Sequence, residues 1–264
     1  MQAKTVLITG ASAGIGEALA EFLAHKSMHV ILTARRERVL DELAQKISSA
    51  GGQVSVYPAD LADCQQRRDL FARVSREADV DVLINNAGFG WYGYFSDMPW
   101  DTALQMMAVN IEAVVQLSAL FLPGMLVRGS GHIINIGSIA GGFPNQGVAL
   151  YSASKAFLDA FTTSLHRELR GSGVHASVMR LGPIRTEFFE RARQLENGGS
   201  IPAEKLGIGV QQVNTALWRL LRRPRRVMYV PAWLWVAQFV DPLFGSLVDA
   251  LGPLLLRRSH SKKH

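Results

Sequence analysis

The sequence predicts a doubly wound α/β fold, a mostly parallel central sheet with helices on both faces. Three observations carry this expectation. Short runs rich in Val and Ile alternate with longer stretches of helical period; the runs show little polar alternation; and no Pro-, Gly- or Ser-rich linker or repeat breaks the rhythm. Strands that are apolar on both sides belong to sheets buried on both sides, and alternation with helices makes their pairing parallel. At 264 residues the chain is long enough to bury one full core. The expected division is one domain over 1–230 and an apolar, amphipathic C-terminal extension over 231–264.

In chain order, TVLIT (5–9) is the first strand, followed by a glycine-containing turn and a helix over 15–26. HVILTA (29–34) is the second strand, a helix runs through 40–47, and QVSVYPA (53–59) is the third strand. VDVLINNA (80–87) is the fourth, a long helical pattern covers 101–127, and HIINIGS (132–138) is the fifth. A helix over 152–169 leads to VHASVMRL (174–181), and an amphipathic helix is read over 210–221. Ligands of such folds bind at the carboxyl ends of the strands, so residues just after each strand are the candidates for function.

The composition narrows the classes. Cys64 is the single cysteine, which rules out an internal disulfide, suits a reducing compartment and gives no basis for a metal site. The N-terminus runs straight into a strand without signal-peptide character, so cytoplasmic residence is expected. The net charge of +6 comes largely from clusters at 222–226 and 257–263, not from a helix with interleaved aromatics. Nucleic acid is therefore not the expected partner.

The first strand ends in Thr9-Gly10-Ala11-Ser12-Ala13-Gly14-Ile15-Gly16, which opens a helix. Glycines allow a tight turn and let backbone N–H groups approach a pyrophosphate at the positive helix end. The Gly-x-x-x-Gly-x-Gly spacing differs from the Gly-x-Gly-x-x-Gly of other dinucleotide folds, and a turn needed only for helix packing is the alternative. The second strand ends in Arg35-Arg36 with no acidic residue at the ribose-binding position. Guanidinium suits a 2′-phosphate and a carboxylate would repel it, so NADP(H) is expected over NAD(H). The competing reading leaves both arginines capping a strand end in water, with Glu37 neutralising one.

Tyr151 and Lys155 lie four apart at the start of a helical pattern and share a face. An ammonium beside a phenol favours the phenolate, so a lowered tyrosine pKa is expected. Asn110 inside the 101–127 helix is a poor propensity choice and points to a buried polar network. Asn85 and Asn86 could serve backbone groups at a strand end, Asn85 above all.

Together, Thr-Gly-x-x-x-Gly-x-Gly (9–16), Asp60-Leu61, Asn85-Asn86-Ala87-Gly88, Asn110, Ser138, Tyr151-x-x-x-Lys155 and Gly182-Pro183-x-x-Thr186 resemble the short-chain dehydrogenase/reductase family over about residues 4–190. The resemblance implies a Rossmann-type NADP-binding domain and a single hydride transfer at a carbonyl or hydroxyl carbon. It makes Tyr151 the proton donor and acceptor and Ser138 the partner of the substrate oxygen. Lys155 would hold the nicotinamide ribose, and Asn110 would support a proton-relaying water chain. Gly10, Ser12, Ala13, Gly14, Ile15 and Gly16 would cradle the pyrophosphate, and Asp60 and Leu61 would flank the adenine. Asn86, Ala87 and Gly88 would pack beside the cofactor, with Pro183, Ile184 and Thr186 at the carboxamide. The family often has Pro-Gly before this last loop, whereas this chain has Leu181-Gly182, which leaves the loop's finer geometry open. The family also implies a homo-oligomer, dimer or tetramer.

A polar, Gly-containing segment with Phe188 and Phe189 over 186–205 is the expected substrate lid. With Trp91, Tyr92 and Phe143 these rings either line an apolar pocket for a steroid, retinoid, fatty-acyl or other lipophilic carbonyl compound, or are ordinary core. Two alternatives remain: a 3-oxoacyl carrier-protein reductase, and a non-catalytic NADP-binding sensor or scaffold. In the extension, Val236, Val240, Leu243, Leu247, Leu251 and Leu254 form an apolar stripe that Pro242 and Pro253 interrupt, with Trp233 and Trp235 at its start. Asp241 and Asp249 keep it from spanning a bilayer. It lies on a membrane surface or packs against protein, the domain or another subunit.

Overall fold

The computed structural model describes residues 4–199 and 207–255. Seven strands, β1 (Thr5–Thr9), β2 (His29–Thr33), β3 (Gln53–Val56), β4 (Val82–Asn85), β5 (Gly131–Ser138), β6 (Val174–Leu181) and β7 (Val227–Val230), form one sheet. They lie in the order β3-β2-β1-β4-β5-β6-β7, and every pairing is parallel. Residues alternate between two apolar layers: Val6 and Ile8 pack on one face and Leu7 on the other. The first layer is completed by α1 (Gly14–Ala24), α2 (Glu37–Ser49) and α8 (Gln211–Arg222). The second is completed by α3 (Cys64–Glu77), α5 (Ala113–Arg128) and α6 (Ala149–Glu168). This is the doubly wound arrangement expected.

β7 and α3 are among the elements outside the expected set. β7 is only four residues long, sits between an arginine cluster and Pro231, and pairs with β6 from Val178↔Val227 to Leu181↔Val230. Helix α3 is capped by Asp63, whose carboxylate accepts from the Gln65 and Gln66 amides. Its inward face carries Leu70 and Val74, but also Arg67, which is 2% exposed and therefore breaks the apolar stripe. Arg67 donates to the Leu61 carbonyl and to Gln116, and pairs with Glu112.

The expected helix over 101–127 is three pieces: α4 (Trp100–Met107), a π turn (Ala108–Glu112) and α5. Among the described residues this stretch, Trp100–Arg128, is long and apolar enough to cross a membrane. In the fold, Met106, Val114, Leu117, Phe121 and Met125 bury one side of it.

After β6 the chain makes a parallel bridge, Ile184↔Ile208, with Arg185 N–H donating to the Ile208 carbonyl and Ile208 N–H to the Pro183 carbonyl. The segment between these pinned points contains helix α7 (Phe188–Gln194). Of the expected lid, 200–205 lies outside the described residues.

Beyond β7 a 3₁₀ run (Ala232–Phe239) leads into α9 (Val240–Leu255), which bends at Phe244. Leu234 and Ala237 are buried, and a Cβ on Gly182 would lie 2.5 Å from Leu234 Cδ1. The stripe residues Val236, Leu243 and Leu247 are exposed, as are Trp233 and Trp235. The basic residues at 257–263 lie outside the described residues.

Candidate active site

The order of the sheet reverses between β1 and β4, which opens a crevice at their carboxyl ends. Thr9 and Asn86 hold it. The Thr9 hydroxyl accepts from the Asn86 and Ala87 amides, both at 2.9 Å, and Asn86 Nδ2 donates to the Thr9 carbonyl at 2.8 Å. Asn86 thus serves the backbone, whereas Asn85, expected to do so, bonds other side chains. Its Nδ2 donates to Asn135 Oδ1 and Ser118, and Asn135 Nδ2 donates to Thr162. Asn85 points sideways into the sheet–helix layer because β4 is central and its backbone groups are already paired.

Gly10 and Gly14 adopt left-handed φ values of 65° and 59°. A Cβ on Gly16 would lie 2.3 Å from the Gly10 carbonyl, so α1 can approach the turn only with glycine there. Above the turn is a cavity of about 800 Å³. Gly10, Ser12, Ala13, Gly14, Ile15, Arg35, Arg36, Asp60, Leu61, Asn86, Ala87 and Gly88 line one part, and Ser138, Tyr151, Lys155, Pro183, Ile184 and Thr186 the other. Gly16 and Asn110 stand behind the wall. The volume and the bare glycine floor fit an extended dinucleotide.

The two arginines differ. Arg35 is exposed and makes no ion pair among the described residues. Arg36 Nη2 donates to the Ser12 carbonyl at 2.7 Å and lies 3.8 Å from Glu187. The acid that meets Arg36 is thus Glu187, not Glu37.

At the other end, the first two turns of α6 place Tyr151 and Lys155 beside Ser138 at the end of β5. Lys155 Nζ donates to the Ile136 carbonyl at 2.9 Å and lies 5.7 Å from the Tyr151 ring centre. Burial pushes the Lys155 ammonium down to about 8, opposed by Asp159. Burial pushes the Tyr151 phenol up to about 12, and a hydrogen bond with Ser138 only partly opposes this. The expected lowering by Lys155 is therefore reversed in the protein alone: removing the phenolate from water outweighs its neighbours.

Asn110 is fully buried in the π turn. Its Oδ1 accepts from Phe89 N–H, and its Nδ2 donates to the Phe89 carbonyl and to Ser154. It clamps the loop after β4 to α6, the polar network its sequence position suggested.

Phe188 of α7 lies over the site, 5.6 Å from the Tyr151 ring centre. Trp91 Nε1 donates to the Glu196 carbonyl and Gly199 N–H to the Tyr92 carbonyl, tying the segment after α7 to the loop after β4. Trp91, Tyr92, Phe143, Phe188 and Phe189 all line the cavity. Gln105, Asn145, Gln146, Glu187 and Arg191 line it too, and no periodicity or motif in the sequence marks them.

A doubly wound sheet with a glycine turn at its switch point and Tyr, Lys and Ser at the far end of one cavity defines a dinucleotide-binding α/β protein. The short chain dehydrogenase family matches residues 4–197, and the chain belongs to it. It is 39% identical over 176 residues to the very-long-chain 3-oxoacyl-CoA reductase of Anas platyrhynchos, covering 64% of this chain and 55% of that one. It is 38% identical to the ketoacyl reductase HetN of Nostoc, covering 69% and 63%. The chain thus spans between half and two thirds of the length of these two curated relatives. The structure of a short-chain dehydrogenase from Sphingobium yanoikuyae in complex with NADPH matches with a TM-score of 0.81 at 30% identity, covering 99% of each chain.

Asn110→Ala leaves the Phe89 N–H and carbonyl without their partner in a closed region. Urea unfolding should show a loss of about 3 kcal/mol; a loss below about 0.5 kcal/mol would show that the clamp contributes little.

Proposed function

We propose that the chain is an NADP(H)-dependent reductase of lipophilic carbonyl compounds. One observation carries this: a single cavity joins the glycine turn and Arg35 to Tyr151, Lys155 and Ser138, under a roof of aromatic rings. NADPH, when bound, supplies the hydride. Ser12 to Ile15 would hold its pyrophosphate, Arg35 its 2′-phosphate, and Lys155 its nicotinamide ribose. NADPH in the structure from Sphingobium yanoikuyae supports that choice of cofactor.

In this reading Ser138 and Tyr151 hydrogen-bond the carbonyl oxygen and so orient the carbon for attack. As hydride adds to the carbon, the C=O π pair becomes an alkoxide, and Tyr151 O–H donates the proton that makes the alcohol. A phenol is protonated at neutral pH, and burial holds the Tyr151 proton more firmly, so Tyr151 enters the step as the acid. Lys155 then returns a proton to Tyr151, and Asn110 supports the water chain that resupplies it. The complete set argues against a sensor or scaffold. The apolar roof of Trp91, Phe143, Phe188 and Phe189 supports a lipophilic substrate, and the two ketoacyl-reducing relatives support a 3-oxoacyl thioester among the candidates.

The exposed stripe of the extension supports a second element of this reading, contact with an anionic bilayer surface. Trp233, Trp235, Leu243 and Leu247 are more than half exposed, and four Arg and Lys residues follow at 257, 258, 262 and 263. The 3₁₀ run also packs under Gly182, a wall of the cavity, so the stripe starts beside the site.

Tyr151→Phe removes only the phenolic proton. In a screen of NADPH oxidation against lipophilic ketones, aldehydes and 3-oxoacyl thioesters, turnover should fall about 10²–10⁴-fold while NADPH binding persists. Activity within threefold of wild type would exclude Tyr151 as the acid. Arg35→Asp should cut the NADPH-to-NADH ratio of kcat/KM about tenfold or more; an unchanged ratio assigns the 2′-phosphate elsewhere.

The triple variant Trp235→Ser, Leu243→Ser, Leu247→Ser changes only exposed residues. It should lose co-sedimentation with phosphatidylglycerol vesicles that the full chain shows. No vesicle binding by wild type, with the variant changing the oligomeric state instead, assigns the stripe to a second copy of the chain.

A further inference from the structure

One turn beyond Lys155 on α6 is Asp159, an acid that the reaction described above does not use. Its side chain is 10% exposed and its Oδ1 accepts from Arg180 Nε at 2.9 Å. Arg180 comes from β6, where it stands beside Gly137 of β5 and Tyr229 of β7. Its Nη1 bonds the Tyr229 hydroxyl, its guanidinium lies 5.4 Å from that ring centre, and Tyr229 O–H donates to Gln238 Oε1 at 3.2 Å. Asp159 Oδ2 is buried without a hydrogen-bond partner.

A buried carboxylate oxygen left without a donor is costly unless nearby charge stabilises it. The cation on the same helix face is Lys155, at i and i+4. The carboxylate also abuts the turn that carries Ser138. A Cβ on Gly141 would lie 2.8 Å from Asp159 Oδ2 and 2.7 Å from the Lys155 carbonyl carbon, and one on Gly137 would lie 3.7 Å from Oδ1. The turn over 139–141 can thus sit flat on α6 only because position 141 is glycine.

We propose that the buried Asp159–Arg180 pair is a positioning unit for Lys155 and for the Ser138 turn, through which it acts on the proton-transfer step. The inference rests on the oxidoreductase reading above. Tyr151 and Asp159 are the titratable groups that face Lys155 from its own helix. Arg180 from β6 faces Asp159, and Tyr229 from β7 faces Arg180; β5, the loop over 88–90 and Asn110 present uncharged groups. The carboxylate favours the ammonium, and burial opposes it. Taking the carboxylate away therefore lets burial act alone and makes Lys155 lose its proton at lower pH.

The test is the titration of Lys155 itself, followed by NMR in protein labelled with ¹³C at lysine Cε, with the signal assigned by its loss in Lys155→Met. Asp159→Asn should lower the midpoint by about one pH unit. Asp159→Glu, which keeps the charge, should stay near wild type. Asp159→Asn removes the carboxylate that pairs with Arg180, so the balanced double variant Asp159→Asn, Arg180→Met is measured beside it and should also fall. In active protein the alkaline limb of kcat/KM for reduction should move with the midpoint. An unchanged midpoint in both variants overturns the proposal, whatever the change in Tm. A midpoint that moves in a wild-type background that reduces no carbonyl compound overturns the oxidoreductase reading and keeps the action of the pair on Lys155.

Discussion

The hydrogen bonds between Thr9 and Asn86 set the geometry of everything above the sheet. They join the two strand ends that diverge where the winding reverses, and fix how far apart the β1 turn and the β4 loop stand. The glycines follow from this spacing. With Asn86 Nδ2 drawn onto the Thr9 carbonyl, a side chain at Gly16 would meet both the Gly10 carbonyl and that amide. The loop after β4 is then held a second time, further out, by Asn110. Two asparagines, one from a strand end and one from the π turn, thus hold the chain after β4 in place.

Features that depend on continuous apolar runs and on short-range turn chemistry are legible in the sequence. The six strands through β6 stood out as short runs carrying Val, Ile or Leu between helical stretches, all but β3 apolar on both faces. The glycine turn, the paired arginines and the Tyr-Lys spacing stood out because each is local. What was missed depended on tertiary neighbours. Helix α3 hid because Arg67 takes a core position and satisfies the Leu61 carbonyl and Gln116 from inside. β7 hid because four residues between arginines and a proline give no pattern until β6 supplies a partner.

Other misreadings have the same origin. The helix through Asn110 reads as continuous because a π turn changes hydrogen bonding, not hydrophobic period. Asn85 and Asn86 are adjacent and identical in type, yet Asn86 serves the backbone and lines the cavity while Asn85 bonds side chains instead; pleating sends one toward the β1 turn and the other into the layer beneath α6. The direction of the Tyr151 shift was misjudged because spacing reveals neighbours but not depth, and depth decides the balance.

The bridge between Ile184 and Ile208 has a consequence for how such a protein diversifies. Because both ends of the intervening segment are tied to each other, its length and composition can change with little effect on β6 or α8. A chain built this way can vary the roof beyond Glu187 while Thr186, against Gly14, and Glu187, against Arg36, stay with the floor. The cost of such changes falls on the contacts from Trp91 and Tyr92, which would have to be remade for each new roof.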